Sequence, residues 1–137
     1  MAALEIPEDI RILLRDHLPS HEQLELLLLM HTDPMREWSV EDLAETLKIS
    51  PMLAEEAINQ LAADELIDLW ELPSNALRCR GPRDACRDLV SRLAQIYQDN
   101  RVEVLMLMSA NAIQRMRTGA LRAFADAFVI KKKDTDG

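Results

Sequence analysis

The 137 residues suffice for one compact domain, or one domain with a helical appendage, and are too few for an α/β barrel. With 48% apolar and 29% charged side chains, the chain can bury a core and lacks the composition of disorder. Its net charge of -8 hides a division: residues 1–72 carry 17 acids and 4 bases, residues 73–137 carry 7 acids and 12 bases, so a polyanion should prefer the second half.

Three glycines and five aromatic residues leave little for tight hairpins, whereas Ala, Leu, Glu, Asp, Arg and Met are the vocabulary of helices. Pro7 opens a first helix with Glu8 and Asp9 in its first turn and Ile10, Leu13 and Leu14 on one face; Pro19 ends it. Ser20, with Gln23 three residues on, caps a second helix whose Leu24, Leu27, Leu28 and Met30 point inward. Leu26 and Leu29 are apolar as well, which predicts packing on more than one side. Residues 33–37 read as a turn. Ser39 then caps a short helix with Leu43, Ala44 and Leu47 on its apolar face. Lys48 and Ile49 form a tight connection. Ser50 caps the next helix, Pro51 occupies its first position, and Ala54, Ala57, Ile58 and Leu61 form the stripe that runs to Ala63.

Residues 66–72 alternate like a strand, 73–75 turn, and 76–80 return until Gly81 and Pro82 stop them, which predicts one small hairpin. From Arg83 onward helical spacing resumes through Leu89, Val90, Leu93 and Ile96, then Leu105, Met106, Ala112, Ile113 and Met116. Residues 102–108 also alternate well enough for a strand. Thr118 and Gly119 read as a break, after which Leu121, Phe124 and Phe128 share one side of a last helix with Lys131, Lys132 and Lys133 at its end. Residues 134–137 are expected to be disordered.

The order helix, helix, helix-turn-helix, hairpin, helices resembles a winged helix-turn-helix domain of bacterial transcription regulators, broadly like the MarR and ArsR families. The resemblance is carried by residues 38–44 (Trp-Ser-Val-Glu-Asp-Leu-Ala), Leu47, Ile49, Ser50, Ala54, Ile58, Leu61 and the Asp64, Glu65, Leu66, Ile67 exit, within about residues 20–82. It implies a mainly α fold with a small β-hairpin, so that amino-terminal helices and winged helix occupy 1–82; the helical apolar surface of the second half, more than one small wing domain can cover, makes 83–130 a helical dimerisation region, with a disordered tail in 131–137. It also implies that residues 51–63 enter the DNA major groove while the hairpin touches phosphates.

The residues of that helix argue otherwise. Its outward positions Met52, Glu55, Glu56, Asn59 and Gln60 include no base, and residues 39–68 hold eight acids against Lys48 alone. Phosphate neutralisation supplies nearly all non-specific DNA affinity, and this surface has the wrong sign for it. Asn59 and Gln60 could still read adenine edges. Arg78, Arg80, Arg83 and Arg87 cluster in and after the returning strand, where they would grip a DNA backbone or pair with the chain's own acids. On this charge argument the sequence favours a non-enzymatic, transcription-associated protein whose acidic helix meets a basic protein partner; the alternative is a DNA-binding regulator that uses the Arg-rich wing.

Other constellations carry less. His17 and His21 are four apart but Pro19 and Ser20 break the helix between them, so no metal site is expected. Cys79 and Cys86 sit among arginines that could acidify a thiol, or are simply small buried residues. The methionines would fill core or dimer contacts, or line an adaptable groove. No Gly-rich phosphate loop, nucleophile elbow or acid–base pair marks an enzyme, and no cofactor is expected. The longest apolar run, residues 26–30, cannot cross a bilayer, and Glu5, Glu8 and Asp9 stand where an export signal would be positive. Two cysteines do not make a disulfide framework, so a cytoplasmic protein is expected. Leu121, Phe124 and Phe128 are expected to help join two copies into a homodimer.

Overall fold

The structure is a computed structural model that describes residues 6–135, with side chains described as far as residue 127. Six helices surround a small sheet: α1 (Glu8–Asp16), α2 (His21–His31), β1 (Trp38–Ser39), α3 (Val40–Leu47), α4 (Pro51–Ala63), β2 (Asp68–Glu71), β3 (Leu77–Arg80), a 3-10 turn (Asp84–Cys86), α5 (Arg87–Asp99) and α6 (Arg101–Thr135).

The helix starts follow their capping residues. Ser20, Ser39 and Ser50 each accept a hydrogen bond through Oγ from the backbone N–H three residues on, at 3.1, 3.0 and 3.2 Å. Each satisfies one of the donors that a helix start otherwise leaves without a partner. Lys48 closes α3 in the left-handed conformation at φ 57°, and Ile49 N–H returns to the Ala44 carbonyl, so the chain reverses within two residues. That reversal sets α4 across α3. Helix α2 is the central element: Leu24, Leu26, Leu27 and Met30 are fully buried, and it packs on both α4 and α5. Packing on two sides is what its two apolar faces predicted.

The sheet corrects the expected hairpin. Its order is β1-β3-β2, antiparallel, with Trp38 opposite Cys79 and Ser39 opposite Arg78 on one edge, and Trp70 opposite Arg78 on the other. A two-residue strand has no periodicity to betray it, and Trp38 was legible only as a lead-in to α3. Strands β2 and β3 are shorter than the alternating segments 66–72 and 76–80, and Leu66 and Ile67, which precede β2, are buried in the core. Gly81 follows directly: a Cβ there would lie 2.5 Å from Ile67 Cγ2, so no larger residue fits as the chain leaves the sheet.

The carboxyl-terminal half decides between the two readings of residues 102–108 and corrects two further expectations. Residues 102–108 are helical, not a strand: Val104 and Met108, one turn apart, are buried, while Val102 and Met106, also one turn apart, face outward. Gly119 does not break the chain but lies within α6, which runs unbroken for 35 residues, about 52 Å at 1.5 Å per residue. The tail expected to be disordered from residue 131 is helical as far as Thr135, while residues 136 and 137 and the side chain of Phe128 lie outside the described residues. Helix α5 and the first turns of α6 close the core against α1 and α2, and every residue from Ile113 to Ala127 is exposed.

Candidate nucleic-acid interface

Two elements present the side chains that a nucleic acid would meet. On α4, Ala54, Ala57, Ile58 and Leu61 are buried against α2 and α3, which turns Met52, Glu55, Glu56, Asn59 and Gln60 to solvent. Met52 is 71% exposed. The outward face therefore has the composition read from the sequence: two carboxylates, two amides, a thioether and no base.

The wing carries the opposite sign. Arg78 and Arg80 are two apart on β3 and so share one face of the sheet, while Cys79 between them is fully buried. The register places Trp70 beside them, and the Arg80 guanidinium lies 5.8 Å from the Trp70 ring centroid, a cation–π distance. Arg83 and Arg87 follow in the turn. Arg83 Nε is 3.4 Å from Asp68 Oδ1 and Arg87 Nη2 is 2.7 Å from Asp84 Oδ1. Arg80, Arg83 and Arg87 line a cleft of about 460 Å3 together with Pro34 and Met35. The four arginines thus divide: two are held by acids on the surface, and no carboxylate pairs with Arg78 or Arg80 among the described residues. The role of Trp70 was not legible beforehand, since it depends on the β2–β3 register.

The cysteines are placed by packing. Cys79 Sγ–H donates to the Trp38 carbonyl at 3.7 Å, and burial pushes its thiol up to about 12, outweighing the attraction of Arg78. Cys86 is half-buried and also shifted up, first by desolvation, with Arg83 and Arg87 opposing. Both shifts disfavour the thiolate that a redox sensor would need. His17 and His21 face different carboxylates, Asp64 at 3.4 Å and Glu25 at 3.1 Å. Tyr97 donates to the same Glu25 oxygen at 2.8 Å, tying α5 to α2. Among the described residues no three His, Cys, Asp or Glu side chains are grouped to hold a metal. No helix of the described residues is long and apolar enough to cross a membrane.

No protein-family model matches the sequence, and no curated protein matches it. Solved structures do. A doubly substituted ZitR from Lactococcus lactis is 18% identical, with the match covering 93% of this chain and 84% of that one at a TM-score of 0.55. The same protein in its apo form matches 80% of this chain and 83% of its own at 0.51, also with 18% identity. MepR, a transcription regulator of the Staphylococcus aureus multidrug efflux pump MepA, is 13% identical over 87% of this chain and 90% of its own, with a TM-score of 0.51.

This chain has a winged helix-turn-helix fold, shared with the ZitR and MepR structures.

In the terms of that fold, α3 and α4 are the helix-turn-helix, β2 and β3 the wing, and α4 stands in the recognition position. The winged helix is thus complete, and the outward face of its α4 is acidic.

Proposed function

We propose that this protein is a non-enzymatic transcription regulator that binds DNA as a homodimer in the cytoplasm. The observation that carries the reading is the pairing of a complete winged helix with Arg78 and Arg80 on one face of its wing, both without a carboxylate partner among the described residues. Charge taken by itself favours a basic protein partner on the acidic face of α4 over DNA. Likeness of fold to MepR, a transcription regulator, supports the opposite order.

In this reading residues 1–82 hold the DNA-contacting unit and residues 83–130 the dimerising helices. Arg78 and Arg80 grip phosphates while Asn59 and Gln60 face base edges. Arg83 and Arg87, already engaged by Asp68 and Asp84, shape the wing's base and contribute less. Glu55 and Glu56 oppose approach to phosphates and so keep non-specific affinity low, which leaves the complex dependent on few backbone contacts and on wing placement.

Titration of random duplex DNA at 50 mM salt tests this. We expect micromolar binding that weakens as salt rises, with Arg78→Ala and Arg80→Ala each lowering the slope of log affinity against log salt by about 1. Absence of binding at that salt, or variants indistinguishable from the parent, would return the protein-partner reading to first place.

A further inference from the structure

Helix α6 turns one face to the core and leaves another bare. Val104 and Met108 are buried, whereas Val102, Met106, Ser109, Ile113, Met116 and Ala120 are all exposed. These residues recur alternately four and three positions apart, the spacing by which a helix keeps one seam toward a neighbouring helix. Around Met106 the seam is a shallow apolar groove with Ser109 and Ala110 in its lining, so a second helix can approach closely there.

Charge decides what the seam accepts. Glu103, Ala110 and Arg117 follow directly after Val102, Ser109 and Met116, seven positions from one to the next, and so share one flank of the seam. That flank is acidic at one end, small in the middle and basic at the other. Neither Glu103 nor Arg117 has a side-chain partner among the described residues. An antiparallel copy of the same helix, turned about a twofold axis beside Ala110, brings its Arg117 to Glu103 and its Glu103 to Arg117. A parallel copy would set this flank against Leu105, Ala112 and Gly119, which carry no charge.

We propose that α6 pairs antiparallel with α6 of a second copy, with Ala110 at the twofold axis and Arg117 of each chain on Glu103 of the other. The arrangement rests on the homodimer reading above and adds orientation and register to it. The apolar seam supplies most of the affinity. The two ion pairs, at its edge, select which way the helices run and reject a partner that lacks them.

Sedimentation equilibrium of the full chain tests this. We expect Glu103→Arg and Arg117→Glu each to weaken the dimer about tenfold, since each sets two like-charge pairs across the seam. The double variant should return to within about threefold of the parent, because it restores both pairs with their signs exchanged. Arg122→Glu, two positions past Ala120 and so off the seam, should change the dimer less than about twofold. Ala110→Cys should couple to its own copy through a short bismaleimide. Ala120→Cys should not, because its two copies would stand about 30 Å apart along the helices. The parent chain, with Cys79 buried and Cys86 half-buried, sets the background. Single reversals that leave the dimer unchanged, a double variant no better than either single, or coupling at Ala120→Cys overturns the antiparallel register while the homodimer reading stands. A parent that stays monomeric at micromolar concentration overturns both.

Discussion

Cys79 shows how burial outweighs charged chain neighbours in setting a local environment. Arg78 and Arg80 flank it, which in an exposed loop would favour a thiolate, but on a strand they point away from the face that Cys79 buries. We expect no reaction of native Cys79 with a thiol-labelling disulfide at pH 8, and stoichiometric reaction after denaturation; rapid native labelling at that residue would contradict its burial. Asp9 gives a second prediction at this scale. Its side-chain hydrogen bond from Arg92 of α5 holds the carboxyl below the usual carboxylate range. A depressed folded-state pKa contributes stability that is complete above the unfolded value, about 3.9, and lost as pH falls through the folded one. The Asp9→Asn variant should therefore be less stable than the parent at pH 7 and converge with it in acid, as followed by denaturant unfolding across pH. The difference will be small, because the pair is solvent-exposed.

At the scale of elements, what was legible in the sequence is what local chemistry decides. Three serine caps, Pro51 and the stripes of α3 and α4 fixed the helix-turn-helix before any tertiary information. What escaped depends on distant partners: β1 exists because Trp38 pairs with Cys79 across 41 positions, and the wing's Trp70 meets Arg80 only through strand register. Gly119 misled in the other direction. As a helix breaker it is weak, costing roughly 0.5–1 kcal/mol relative to Ala, too little to interrupt a helix otherwise rich in Ala, Leu, Met and Arg. Its Cβ position meets nothing within 4 Å. Gly119→Ala should thus stabilise the protein by about that amount in chemical denaturation. A loss of stability would instead mean that a second helix crosses α6 closely at this point.

For the whole molecule the decisive fact is how α6 is used. Its first turns complete the core, and the remainder projects with Val102, Met106, Ile113, Met116 and Leu121 each at least half exposed and recurring at helical spacing. Around Met106 the surface is a shallow apolar groove floored by Ser109 and Ala110, small enough for another helix to approach. Scattered apolar residues need no explanation, but a continuous stripe along one helix does. A second copy, related by a twofold axis, would cover the stripe with its own and set two wings on one face of the assembly, as a palindromic DNA site requires. Light scattering should therefore give twice the 15.6 kDa chain mass at micromolar concentration. Met106→Glu with Ile113→Glu should yield folded monomers, verified by unchanged helical circular dichroism, and should weaken DNA binding more than tenfold because the two half-sites no longer act together. A parent protein that is strictly monomeric would remove the twofold arrangement, and the wing would then have to bind DNA with two unpaired arginines against an acidic helix, which the charge balance makes untenable.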